Sequence, residues 1–387
     1  MKKRVLSILL TLCMALCIVP TSVFAEGETT KKVGTEQELI DALADSTVNI
    51  ITLKSNIAVS STLIVKRAVT LDIYGYMLEM KGSGSVIAIQ DGGDLTLEDS
   101  DPKALYMFTP DADGLWKRVS GGGTKAVSGG VIYGGTGTEL GAFAFGGGVH
   151  VKEGGQFTMN GGNIVGCTAT GNYADGGGVY VAGGSRFIMN GGSIAGCTAV
   201  GDDNNNDTSA EGGGVHVAGG QFTMNGGSII DCTAAALSGL SVASGGGIHN
   251  AGTTTLSGTA EIRDCHAKAG TDNYAYGGGV HDADGIFKIS GDVKIIGCTA
   301  VGKESSTIKS DAMNIGAYGA ISGGTFDGSV YNGGTISGGT FNDPVSNNSS
   351  GKITAGTFNG AVENYGTITG GTFTGGVTGN GSISEAT

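Results

Sequence analysis

The run GGGVHVKEGGQFTMNGGNIVGCTA occupies residues 146–169, and its parts recur four more times. GGGVYV begins at Gly176, GGGVHV at Gly212, GGGIHN at Gly245 and GGGVHD at Gly277. A cysteine falls near the end of each unit, at Cys167, Cys197, Cys232, Cys265 and Cys298, so that successive cysteines are 30, 35, 33 and 33 residues apart. A unit of this size cannot bury its apolar face alone, so a chain built from it must stack its repeats.

Within a unit the apolar residues alternate with polar ones. Val149 and Val151 flank His150, Phe157 and Met159 flank Thr158, and Ile164 follows a glycine pair. Alternation over such short runs is the pattern of strands with one buried face. The glycine pairs and triplets between them supply tight corners. Three short strands and three corners make one coil of a parallel β-helix, in which like residues of adjacent coils stack about 4.8 Å apart. A propeller blade would need four strands in about 40–45 residues and a Trp-Asp signature, and neither that nor a leucine ladder is present. The expectation is an all-β chain: a right-handed parallel β-helix with a short N-terminal capping helix, a hairpin insertion and a narrower C-terminal solenoid.

The flanks divide accordingly. Residues 1–25 read as a signal peptide, with Lys2, Lys3 and Arg4, an apolar run from Val5 to Val19 and a Val23-Phe24-Ala25 cleavage site. Its removal leaves 19 Lys and Arg against 35 Asp and Glu, a net charge of −16. That acidity argues against nucleic acid and anionic membrane as partners, and no later run is long and apolar enough to span a bilayer. The protein is expected to be secreted or held at the cell surface. Residues 26–103 hold the cap and first coils. Thr35-Glu36-Gln37-Glu38 is a capping box, and Leu39, Ile40 and Leu43 follow at helical spacing, so a helix is expected over 36–44.

Residues 104–145 hold the insertion and a Gly-rich connection. Two β-rich runs flank Pro110-Asp111-Ala112-Asp113-Gly114, which reads as the turn of a hairpin projecting from the solenoid. Tyr106, Phe108 and Trp116, the single tryptophan, either pack back as a clasp or form an aromatic platform for a sugar ring.

Residues 146–312 are the five long repeats. After each cysteine comes a segment of variable length, expected to be an edge loop. Asp175, Asp202, Asp203, Asp207 and Asp272 fall in these segments and could chelate calcium jointly; solvated, mobile loops are the alternative. Two ladders cross the repeats. His150, Tyr180, His216, His249 and His281 alternate with the inward valines and should face solvent. Stacked imidazoles could hold a transition metal loosely, but no carboxylate is placed by the sequence to support them. The five cysteines, each beside an isoleucine, should form an inward stack of reduced thiols.

From residue 313 to 387 the period shortens. Phe326, Phe341, Phe358 and Phe373 lie 15, 17 and 15 residues apart. Each short coil should offer one Phe, one Val and one Ile inward, with Gly, Asn, Ser and Thr between. The last coil has no evident cover, so its exposed edge is expected to favour end-to-end association.

The motifs GGGVHV…FTMNGGNIVGCTA and VTLDIYGYMLEM resemble the right-handed parallel β-helix repeat proteins exported by Gram-positive bacteria. That resemblance covers most of residues 48–312. It implies a pectate-lyase-like fold and, for many members, an adhesin-like role. Such repeats more often carry asparagine at the cysteine position. A pectate-lyase activity would need clustered carboxylates for calcium and a nearby Arg or Lys as base; beyond the signal the arginines are Arg67, Arg118, Arg186 and Arg263, and neither Arg186 nor Arg263 sits beside an outward Asp cluster on a strand. Fold likeness alone warrants no activity. The expected function is a non-catalytic scaffold that meets extracellular glycans or surface proteins; the alternative is a polysaccharide-active enzyme with an unrecognised site.

Overall fold

The computed structural model describes residues 29–384 except 113, 202–206, 237–239, 271 and 304–309, and leaves out the side chains of 207 and 240. The expected signal peptide lies outside the described residues.

The chain is a parallel β-solenoid. In the coil that opens at Gly146, Val149–Val151 forms one face, and Gln156–Met159 and Asn163–Val165 form the others. Successive coils pair parallel and in register: Val149 with Val179, Val179 with Val215, Val215 with Ile248 and Ile248 with Val280. The first face becomes a twelve-stranded sheet running from Leu63–Val65 to Val377–Thr378, and the other faces belong to a 24-stranded sheet. Twelve rungs at the strand-pairing distance extend about 53 Å. The helix Glu36–Ala44 forms where expected, with Thr35 as its N-cap accepting from the Glu38 backbone N–H. It lays Leu39, Ala42 and Leu43 against the apolar core of the first coils, and Arg67 donates to the Ala42 and Leu43 carbonyls at its end.

Exact stacking of like residues fills the interior. Phe157, Phe187 and Phe222 stack at 4.7–4.8 Å between ring centres. Thr254 interrupts the column in register before Phe287. Phe326, Phe341, Phe358 and Phe373 stack at 4.8 Å in a second column, which continues the isoleucines from Ile295 rather than Phe287. Such offset pairs add about 0.5–1.5 kcal/mol beyond burial. The five cysteines are buried and free. Their Sγ atoms lie 3.4–3.5 Å from the carbonyl two residues earlier. Burial holds the Cys197 and Cys265 thiols well above their ordinary range.

The short coils differ from expectation at one column. Asn332, Asn347 and Asn364 point inward and are almost fully buried. Each of the first two donates to the next amide oxygen at 2.7 Å. A buried amide is stable only when both ends are satisfied, and a register-matched neighbour does this at every rung.

The glycine triplets have three separate causes. The first glycine of each adopts φ between 56° and 69°. A Cβ on the second, at Gly147, Gly177, Gly213, Gly246 or Gly278, would sit 2.3–2.4 Å from backbone atoms, including those of the residue that follows the cysteine. A Cβ on the third would meet the isoleucine Cγ2 of the same coil at 2.5–2.8 Å. Two backbone segments thus touch at a neck, with no side chain between them.

Beyond the neck the expected edge loops are strands. Thr168–Gly171 leaves the coil and Tyr173–Asp175 returns, and their equivalents in later coils stack into a five-stranded and a six-stranded sheet. Between these sheets lies a core of alanine alone: Ala169, Ala199, Ala234 and Ala267 from one side and Ala144, Ala174, Ala210 and Ala243 from the other, with Ala236 and Ala269. The result is a thin lateral wing along five coils.

The insertion does not project. The expected hairpin forms, Leu105–Pro110 pairing antiparallel with Trp116–Val119, and Lys125–Ser128 adds a third strand on the other edge of Leu105–Pro110. It lies flat as a strap. At one end the Tyr106 hydroxyl donates to Asn56 Oδ1 and the Gly75 carbonyl, each at 3.0 Å; at the other Lys125 pairs with Asp231. Phe108 and Trp116 pack beneath it on Met77, Val131, Val165 and Ala195. The corner before each cysteine has φ of 50–64° at Gly166, Gly196, Asp231, Asp264 and Gly297. Aspartate occupies that conformation at two coils, but at Gly196 a Cβ would lie 2.0 Å from the Trp116 ring and at Gly166 2.1 Å from the Trp116 carbonyl.

Two outcomes follow. Gly196→Asn keeps a residue tolerant of positive φ but drives a side chain into Trp116; it is expected to destabilise by about 2–3 kcal/mol by urea unfolding, whereas Asp264→Gly changes stability by less than about 1 kcal/mol. The thiols should label slowly in the folded protein and stoichiometrically in denaturant, Cys298 first. Cys232→Asp, which buries a charge without a partner, should cost about 3–5 kcal/mol.

Candidate functional site

The wing and the twelve-stranded face meet in a crease, and three columns line it. The returning wing strands present Phe143, Tyr173, Ser209, Val242 and Tyr274 in one register and Phe145, Asp175, Glu211, Ser244 and Tyr276 in the next. The third column is His150, Tyr180, His216, His249 and His281. The wing residue before each glycine triplet is therefore five residues before its imidazole or phenol, and the neck folds one over the other.

This overturns the expected solvent-facing ladder. His150, His216 and His249 are only 8, 4 and 4% exposed, because wing side chains cover them. Phe145 lies 5.6 Å from His150 and 4.7 Å from Tyr180, centre to centre, and Tyr276 stacks on His281 at 5.4 Å. It also supplies the carboxylates that were missing. Asp175 Oδ1 is 3.2 Å from His216 Nδ1, and Glu211 Oε2 is 3.8 Å from His216 Nε2 and 3.4 Å from His249 Nδ1. The Asp175–His216 contact is ionic rather than an aligned hydrogen bond, since Nδ1 of His150, His216, His249 and His281 makes no hydrogen bond among the described residues. Glu211, His216 and His249 bring three ligand atoms within 4.8 Å of one another.

The electrostatics follow from burial and charge. Burial, with Lys152 nearby, pushes His150 down to about 4, and burial alone does the same to His281. Burial and the flanking imidazoles hold His249 well below its usual range. At His216 burial opposes protonation, but Asp175 and Glu211 outweigh it and raise the ring above its ordinary value. Burial raises Glu211, with Asp175 adding and His216 opposing. Burial likewise pushes Asp282, beside Asn250, up to about 6.

Other candidate residues fall elsewhere. Phe108 and Trp116 are 0 and 5% exposed under the strap, and Tyr106 is half-buried, so neither Phe108 nor Trp116 offers a ring face to solvent. Of the calcium set, Asp202 and Asp203 lie outside the described residues. Asp207 opens the strand Asp207–Glu211, whereas Asp175 pairs with its far end; Asp272 is exposed in a turn three rungs away. The structure does not gather Asp175, Asp207 and Asp272 into one site. A second concavity of about 830 Å³ opens where the wing stops, lined in part by Cys298, Asp311, Asp327 and Asp343. Its carboxylates serve the fold: Asp311 accepts from the Ala300 N–H and Ser329, and Asp343 from the Gly328 N–H.

Comparison with protein-family models, curated proteins and solved structures returns no match. The resemblance to exported β-helix repeats therefore rests on the residue pattern and the fold. No helix among the described residues is long and apolar enough to cross a membrane.

The ladder makes stability depend on pH with a definite sign. His150 has a folded value below its unfolded one, so the unfolded chain binds the proton more readily. Its contribution is complete above pH 6.5 and is lost as pH falls towards 4. His150→Phe, which keeps a ring against Phe145 and Tyr180, should flatten the stability profile between pH 6.5 and 4, removing a loss of up to ~3 kcal/mol. Urea unfolding of both proteins at pH 7, 5.5 and 4 measures it.

Proposed function

We propose that the protein is a non-catalytic scaffold, exported to the cell surface or beyond, that binds extracellular glycans along the crease. The observation that carries this reading is the Phe143–Tyr173 stack, 4.8 Å between centres and 23° between planes, with Phe143 42% exposed. Tyr274, also 42% exposed, stands at the other end of the same column with Tyr276 stacked beside it. Two aromatic faces separated by polar Ser209, Glu211 and Ser244 suit a chain of sugar rings, whose C–H faces lie on aromatic surfaces while hydroxyls take hydrogen bonds between. The solenoid holds these groups on paired strands rather than on mobile loops, so little ordering is required on binding.

A second reading is favoured by one specific feature. Asp175 and Glu211 are register partners on adjacent strands, and Glu211 is raised as a general acid requires. Paired carboxylates beside a sugar are the equipment of a glycoside hydrolase.

A glycan array read with wild type, Phe143→Ala/Tyr173→Ala and Trp116→Ala tests the first reading. The double variant should lose at least ten-fold in glycan affinity with a small change in melting temperature. Trp116→Ala should melt much lower yet bind normally where folded. Equal binding by wild type and double variant, or no glycan bound by wild type, would reject it. Reducing-sugar release that disappears in Glu211→Gln would establish the second reading instead.

A further inference from the structure

We propose that Glu211, His216 and His249 form a binding site for a divalent transition-metal ion of the zinc class, with Asp175 positioning His216 from behind. The site shares Glu211 with the crease but uses none of its exposed rings, and it stands whether or not glycans bind.

The distances carry the argument. A protonated imidazole that simply paired with a carboxylate would close to about 2.7–2.9 Å. The Glu211 oxygen instead stands 3.4 Å from His249 Nδ1 and 3.8 Å from His216 Nε2. Two ligands at 2.0–2.1 Å from a tetrahedral zinc ion are about 3.3–3.4 Å apart. The Glu211 oxygen is thus too far from either nitrogen for a short ionic hydrogen bond and close to the separation that a shared ion imposes, and the three ligand atoms lie within 4.8 Å of one another. His249 is 4% exposed, and its Nδ1, 3.4 Å from Glu211, has no hydrogen-bond partner among the described residues. A buried polar atom left unmade costs about 1–3 kcal/mol, and coordination would remove that cost.

The second coordination shell agrees. With Nε2 of His216 turned to Glu211, its Nδ1 faces Asp175 at 3.2 Å. A carboxylate behind the ligating histidine fixes ring orientation and raises ligand basicity. His249 is held edge-on against His216, 4.8 Å between centres and 86° between planes. Two imidazoles and one carboxylate select a borderline ion rather than calcium, which takes six to eight oxygens. Glu211 is the least buried of the three, which leaves a route for the ion from the crease.

The test is titration of chelator-treated full-chain protein with Co²⁺, followed by competition with Zn²⁺. The expected result is one equivalent of a visible cobalt band, displaced by zinc, and a zinc-dependent rise in the melting temperature. His249→Gln and Glu211→Gln should weaken Co²⁺ binding at least 100-fold. Asp175→Asn should weaken it about 10–100-fold. His150→Gln, two rungs from His216, should leave it unchanged. No saturable band in the wild type, or equal affinity in His249→Gln and wild type, would overturn the proposal. So would an intense thiolate-to-cobalt charge-transfer band, which would place the ion at the cysteine ladder. The wild-type titration decides even where a variant fails to fold, and it uses no glycan, so it does not share the fate of the glycan reading.

Discussion

At every long coil two stretches of backbone cross at van der Waals distance, and the rest of the structure depends on that contact. Any side chain on the middle glycine would collide with the backbone beside the cysteine at 2.3–2.4 Å. The crossing lets the chain leave the coil, make two wing strands and re-enter without widening the core. It sets the wing against the twelve-stranded face, so the side chain before the triplet falls over the ring five residues later. The crease, its buried imidazoles and its carboxylates all follow from a place where the chain has no side chains.

The solenoid itself was legible because its cause is local and repeated. Alternation around Val149 and Phe157 and the glycine corners specify strands and turns, and a fixed period specifies stacking. The capping helix was legible for the same reason, since Thr35 and Glu38 act on neighbouring backbone. The wing was not, because its core is alanine. Ala174 between Tyr173 and Asp175, or Ala210 between Ser209 and Glu211, has too little apolar surface to mark a strand. Yet an alanine stands two residues before every triplet, at 144, 174, 210, 243 and 275, and that regularity was the available signal. The rings of the strap pack back as a clasp, one of the two readings the sequence allowed, but where the strap docks was not legible because its contacts are distant in sequence. Nothing near Trp116 says that Gly196, eighty residues on, lacks a side chain to receive it. The inward asparagines were read as spacers since polarity suggests exposure; stacking in register inverts that, giving each amide a partner.

Core and crease use the same repetition to opposite ends. In the core, like stacks on like in most coils, with exceptions such as Thr254 in the phenylalanine column. In the crease the backbone repeats but the side chains do not: Phe145, Asp175, Glu211, Ser244 and Tyr276 occupy one column. Adjacent rungs therefore carry different chemistry at a fixed separation. His150 and His281 are pushed down, whereas His216 between them is raised by the two carboxylates. A periodic scaffold can in this way hold a non-periodic site with the precision of strand pairing.

The strap has a mechanical consequence. A solenoid pulled along its axis can open one rung at a time, because each coil is held only by its two neighbours. The three strands tie Asn56, next to the rung Ile57–Val59, to Asp231, next to the rung Ser228–Ile230. Along that span the rungs are joined in parallel rather than in series. A tensile load would be shared across the strapped coils, while the coils beyond them would yield singly, so the molecule has a stiff segment and a compliant one.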